Sequence, residues 1–362
     1  MRRLVGVFLV AFLALGAWGL IALFVPYQNF SAQGVYVDVP RGASSRAIAG
    51  LLVREGIVRN RWVFEALCRF RRQRTLEAGE YFFNRPVTAF EVFDALANGR
   101  VFVRELIVPE GYSMFDIADL VERAGFTTRE RFLAAANNPA PIRDLAPDAP
   151  TLEGFLFPAT YEFPRHPSAE AMVEAMVKRF RQEWDTLAAQ KTKSPAMPVE
   201  QVVTLASLVE RETPKPAERP VVAGVFVNRL QDRVPLQCDP TVVYALELAG
   251  KYSGTLDARS LPFESPYNTY RHTGLPPGPI ANPGDASLRA ALEPQQTDYL
   301  YFVADTEGGH LFGKTLAEHD HNVSLYRRRL AEERETGRLT NVPNPSDPAG
   351  VDAVPVSPRR SP

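Results

Sequence analysis

The stretch VDVPRGASSRAIAGLLVREGI, residues 37–57, changes its hydrophobic period from 2 to 3.6 across a Pro-Arg-Gly turn. That switch predicts a short strand, a turn at Pro40–Gly42 and a helix opened by Ser44 or Ser45. The same order returns in LIVPEGYSMFDIADLVERAGF, residues 106–126: apolar strand, Pro, charged residue, Gly, then a helix ending at Gly. Two copies of one supersecondary unit are too few for a solenoid and predict an α+β fold.

Between the copies, RNRWVFEALCRFRRQ reads as a helix with Trp62, Phe64, Leu67, Cys68 and Phe70 mostly inward. AGEYFFN returns as a strand, and TAFEVFDALANGR as a helix ending at Gly99. The strand-helix-helix-strand unit, residues 35–103, is therefore expected to be a module of its own, with a spacer as its plainest role. The arginines of Arg69 to Arg74 suit a solvated helix face better than a site for lipid headgroups or acidic peptides.

Upstream, residues 4–25 (LVGVFLVAFLALGAWGLIALFV) carry no charge. At about 1.5 Å per residue they span roughly 33 Å, enough to cross a hydrocarbon core once. Arg2 and Arg3 precede the run and no basic cluster closely follows it. The expected topology is a single pass, with residues 1–3 cytoplasmic and the body tethered to the outer face of the membrane. A cleaved signal peptide would have a shorter apolar region.

The 362 residues suffice for two ordinary domains, and 45% hydrophobic content fits a folded chain. With 41 basic and 42 acidic side chains, no global field argues for nucleic acid. The two cysteines, Cys68 and Cys238, are expected in different domains and unpaired. From about Pro198 the chain reads as helical, then as loop between Leu261 and Pro283. A strand follows at Tyr299–Asp305, then GGH as a turn and a helix from Leu316 to Arg334. Residues 336–362 offer almost nothing to bury and are expected to be disordered.

VEQVVTLASLVERET, residues 199–213, is a helix by periodicity and ends on two glutamates. At about 100° per residue, Glu210 and Glu212 point roughly 200° apart, so one cleft hardly uses both directly. Glu212 continues the stripe of Leu205, Leu208 and Val209. A carboxyl held there is expected to be partly desolvated and suited to general-acid work near neutral pH. Glu210 falls on a face of smaller side chains, as a supporting group. Downstream loops gather Gln237, Asp239, Thr241, Tyr267, Asn268, Tyr270 and Arg271, a set suited to the hydroxyl groups and ring faces of a sugar polymer. Asp239 is read first as a cap of the next helix and second as a partner carboxylate. His310, His319 and His321 lack metal-ligand spacing, and no metal or other cofactor is expected; His310 or His319 fits better as an orienting side chain near the cleft.

Four stretches in this order, LASLVERET, NRLQDRVPLQCDPTVVYAL, SPYNTYRHTGLPPGPIANPG and YLYFVADTEGGHLF, strongly resemble the endolytic murein transglycosylases of the YceG-like (MltG) family. LEGFLFPATYEF, with Glu153, is similar to another motif of that family. The resemblance runs from about Leu106 to Leu330, with Ala159 where the family commonly has Asp and Cys238 where it has Thr or Ser. It implies a catalytic domain over residues 104–335 and a LysM-like module over 35–103. It also implies Glu212 as catalytic acid, with Glu153, Glu210, Gln237, Asp239, Tyr267, Asn268, Tyr270 and His310 in supporting or substrate-binding roles. The implied reaction cuts peptidoglycan glycan strands internally, with Glu212 first acid and then base, and leaves a 1,6-anhydro end. Penicillin-binding synthases are the implied partners. A hydrolytic muramidase using Glu212 with Asp239, and a non-catalytic wall-binding scaffold, are the alternatives.

Overall fold

The chain opens with the apolar helix α1 (Arg2–Phe24), of which Gly6–Phe24 is long and apolar enough to cross a membrane. The computed structural model describes residues 2–71, 75–190 and 197–335; the expected disordered tail, and Arg72 and Arg74 of the arginine run, lie outside them. Contacts divide the chain into two units, Met1–Arg104 with Glu162–Arg165, and Glu105–Tyr161 with His166–Pro362.

In the first unit, β1 (Val35–Val39) leads through Pro40 and Gly42 into α2 (Ser45–Arg54). Gly42 has φ 74, a conformation costly for any residue with a Cβ, and Ser44 caps the helix by accepting from the Ala47 amide. α3 (Arg61–Phe70), capped by Asn60, follows, then β2 (Gly79–Phe83) and α4 (Ala89–Ala97), which starts with a Thr88–Glu91 capping box. β1 and β2 pair antiparallel with Val37 opposite Tyr81. Their inward faces join Leu52, Ile57, Phe64, Phe93 and Leu96 in one apolar core. The end of α1 is tied to this core: Ala22 is buried, Leu23 packs against it, and Tyr27 bridges Val87 with bonds of 2.9 and 3.1 Å. Two inward assignments fail. Trp62 is 60% exposed and Phe70 91%, because they sit about 160° and 120° around α3 from buried Phe64.

β3 (Arg104–Ile107) begins the second copy with the same devices: Pro109, then Gly111 at φ 75, then Ser113 capping α5 (Met114–Arg123) with Asp116. α6 (Arg129–Ala136) follows, and β4 (Thr160–Phe163) pairs with β3. α7 (Ala169–Ala189) leads to α8 (Val199–Glu212), which packs against α9 (Arg219–Gln231), α10 (Asp239–Leu248) and α11 (Asp285–Leu292). Every residue of α8 from Val202 to Val209 is buried, so it is enclosed on all sides and not merely along one stripe. β5 (Tyr301–Ala304) and β6 (His310–Gly313) form a hairpin against α12 (Leu316–Glu335). The expected GGH turn is thus corrected, since His310 is the first residue of β6, paired with Ala304. The mixed helices and small antiparallel sheets make the fold α+β.

Candidate active site

The buried helix α8 carries its two terminal glutamates to different places. Glu210 accepts from Arg219 Nη2 at 2.9 Å and from the Gly284 amide at 3.0 Å. Both side chains of this ion pair are almost fully buried, and Glu110 adds a weaker contact to Arg219 at 3.5 Å. Burial pushes the Glu210 carboxyl above its usual range, opposed by the Arg219 charge. Glu210 therefore ties the end of α8 to the starts of α9 and α11. It is expected in a supporting or substrate-binding role, and its contacts brace the helix that carries Glu212.

Glu212, 5% exposed, ends α8 in a cleft that also receives Gln237, Asp239, Tyr270 and His310. Arg229 of α9 holds the Gln237 segment: its Nη1 donates to the Pro235 and Leu236 carbonyls at 3.1 and 3.0 Å, and more distantly to Gln237 Oε1. Gln237 itself has φ 52, an αL conformation that is uncommon for a residue with a side chain. Asp239 does not cap α10; it lies inside the first turn, and its Oδ1 accepts from the Tyr270 hydroxyl at 2.6 Å. Thr241 in the first turn of α10 and Thr269 in the later loop are joined by a 3.0 Å bond between their hydroxyls.

Cys238, buried at the N-terminus of α10, is hydrogen-bonded to Glu212. Burial, the Glu212 charge and that bond push its thiol well above the ordinary range, so the thiol is the donor. The residue noted as a departure from the family pattern therefore still supplies a hydrogen to Glu212. Cys68 and Cys238 lie in different units as free thiols.

Three other expected site residues lie outside the cleft lining. Asn268 is fully buried; its Nδ2 donates to the Leu261 and Phe263 carbonyls at 2.8 and 2.7 Å, and its Oδ1 accepts from the Tyr270 amide at 2.9 Å. It shapes the loop that presents Tyr270. Tyr267 packs on Tyr244, ring centroids 5.1 Å apart, and burial followed by the Glu153 charge pushes its hydroxyl up to about 12. Glu153 accepts from the Met114 amide at 2.9 Å and from Asn282 Nδ2 at 2.8 Å, joining α5 to the segment before α11. Burial pushes its carboxyl up to about 8.

His310 has the most constrained setting. Its Nδ1 lies 2.7 Å from Glu218 Oε2, and its backbone amide donates to Glu218 Oε1 at 3.2 Å. The side chain is 3% exposed, and Nε2 is buried without a hydrogen-bond partner among the described residues. Glu218 was not singled out from the sequence, nor were Arg229 and Tyr301 of the cleft wall, whereas His319, read from the sequence as an orienting side chain near the cleft, does line it. Ninety-two positions separate Glu218 from His310, and no local pattern links them. His319 stacks on Tyr301 at 5.3 Å, and among the described residues no His, Cys, Asp or Glu group is arranged to hold a metal ion.

A family model described as the YceG-like family matches residues 37–325. The chain is 34% identical over 321 residues to an endolytic murein transglycosylase of Bacillus subtilis, covering 84% of this chain and 88% of that one. It is 29% identical to the endolytic murein transglycosylase of Streptococcus pneumoniae D39, covering 83% of this chain and 60% of that longer one. The 2.6 Å crystal structure of a yceG-like protein from Listeria monocytogenes superposes with a TM-score of 0.52 at 34% identity, covering 80% of this chain and 99% of that one. With the same motifs, fold and sequence shared across most of its length, the chain belongs to the YceG-like family.

Proposed function

We propose that this chain is an endolytic lytic transglycosylase of peptidoglycan. It cuts the bond between N-acetylmuramic acid and N-acetylglucosamine within nascent strands and leaves a 1,6-anhydro end. The observation that carries the reading is Glu212: a nearly buried carboxyl, bonded to a thiol, in a cleft whose walls offer an amide, a phenol and an imidazole. Glu212 protonates the glycosidic oxygen, and the Gln237, Asp239 and Tyr270 groups stabilise the charge developing at the sugar C1. The muramoyl C6 oxygen then closes on C1. No water is consumed, so a second carboxylate to activate one is not required.

In this reading α1 crosses the inner membrane once, with residues 1–3 cytoplasmic and the remainder periplasmic. The strand-helix-helix-strand order of the first unit supports its role as a LysM-like wall-binding module. Cleavage ends strand elongation beside a penicillin-binding synthase.

The test is Glu212→Gln in the full-length protein, assayed on uncrosslinked glycan strands by mass spectrometry of the ends. Wild type should give anhydro ends, and the variant should lose about 1,000-fold in rate while still binding strands. Reducing ends from wild type would favour hydrolysis by Glu212 with Asp239. Undiminished cleavage by the variant would remove Glu212 from the chemistry.

A further inference from the structure

We propose that His310 is a catalytic base of this site, held by Glu218, that takes the proton of the muramoyl C6 hydroxyl. The inference rests on the lytic reading above and deepens it, giving to imidazole the second duty otherwise left to the Glu212 carboxylate.

The geometry is that of an oriented imidazole. A carboxylate oxygen 2.7 Å from Nδ1 keeps the hydrogen on that nitrogen and leaves Nε2 with its lone pair. Glu218 is itself fixed: it precedes α9, accepts from the Thr213 hydroxyl at 3.2 Å, and receives the His310 amide. Thr213 directly follows Glu212, so acid and base are anchored to one turn of chain. The hairpin also makes room for the pair. A Cβ at Gly309 would lie 2.5 Å from Glu218 Oε1 and 2.7 Å from Lys215 Nζ, so glycine there permits the close approach.

Nε2, meanwhile, has no hydrogen-bond partner among the described residues. A buried polar atom left unsatisfied in a folded protein is unfavourable and points to a partner that arrives with the ligand. His310 forms part of the same cleft wall as Glu212. Glu218, Lys215 and Asp305 are the charged groups around its hairpin. Glu212, Asp239, Arg229 and His319 face the cleft from α8, α10, α9 and α12.

The step balances without an outside reagent. Nε2 takes the proton from the C6 hydroxyl, the O6–C1 bond forms, the C1–O bond to N-acetylglucosamine breaks, and Glu212 gives its proton to the departing oxygen. Loss of the Nε2 proton to solvent and uptake of one by Glu212 restore the enzyme.

The test compares kcat, KM and their pH profiles for full-length wild type, His310→Gln, Glu218→Gln and Gly309→Ala. The substrate is uncrosslinked glycan strands, with folding checked by circular dichroism. A single carboxyl acting alone predicts one descending limb, whereas acid plus base predicts a bell. His310→Gln should lower kcat by about 100-fold or more with KM nearly unchanged, and should abolish one limb. Glu218→Gln should lower kcat by a smaller factor with KM nearly unchanged, since an amide holds the Nδ1 hydrogen less firmly than a carboxylate and orients the imidazole less well. Gly309→Ala, whose Cβ would crowd the Glu218 carboxylate, should give a milder version of the same loss. A folded His310→Gln enzyme with wild-type kcat, or with both limbs intact, would overturn the assignment. Wild type that releases reducing ends would instead overturn the lytic reading, and the C6 assignment with it.

Discussion

The two units of this chain are built by opposite rules. The first has an apolar core of Val, Leu, Ile, Ala, Phe and one Tyr, and among the described residues none of its polar or charged side chains is buried. In the second, Glu153, Glu212, Arg219, Arg229, Asp239, Asn268, Asn282 and His310 are all buried. Burying such groups is unfavourable unless each finds a partner, and most of them have one at 2.6–3.2 Å. The contrast separates a unit held by apolar packing from one that accepts desolvation to position chemistry.

The contrast can be broken by substitution. The largest effect on stability is expected at Arg219→Met, which leaves the buried Glu210 without its counter-charge. It should cost about 3–5 kcal/mol in denaturant unfolding, and an unchanged midpoint would show that the pair is dispensable. For the same reason Glu210→Gln is a stability variant and not a neutral control for Glu212→Gln. Leu52→Ala in the first unit should cost about 2–5 kcal/mol through the cavity it opens, with cleavage per folded molecule retained. Loss of catalysis out of proportion to unfolding would show that the first unit takes part in the reaction.

The smallest effect sharpens the comparison through pH. Burial holds Glu153 protonated up to about 8 in the folded chain, against an ordinary value of 4.5. Between those values the folded state binds the extra proton, so this contribution is present at low pH and is lost as pH rises toward 8. The slope from one such group is at most about 1.4 kcal/mol per pH unit. Glu153→Gln should flatten that part of the stability profile measured from pH 5 to 8. A slope identical to wild type would mean that Glu153 ionises normally in the fold.

Much of the local structure was legible. The repeated Pro-x-Gly turns, the Ser44 and Ser113 caps and the 3.6 period of residues 199–213 are short-range steric and hydrogen-bonding effects, and each appears where the residues require it. The separation of Glu210 from Glu212 is equally local, because helical geometry sets it. The loop residues gathered from sequence proved a mixed set. Gln237, Asp239 and Tyr270 reach the cleft with Glu212, while Asn268 holds the loop from inside and Tyr267 packs elsewhere. An amide that lines a site and one that braces it look alike in sequence, since both need only to be polar.

What the sequence determined by itself is the set of elements, the apolar N-terminal helix and the divergence of Glu210 from Glu212, all consequences of periodicity and of backbone sterics over a few residues. What only the tertiary structure decided is partnership: Arg219 on Glu210, Asn282 on Glu153, the Cys238 thiol on Glu212 and Glu218 on His310. Each depends on the desolvation of a polar group and on the one neighbour the fold brings within hydrogen-bond reach, often from a distant part of the chain, and no local period encodes that distance.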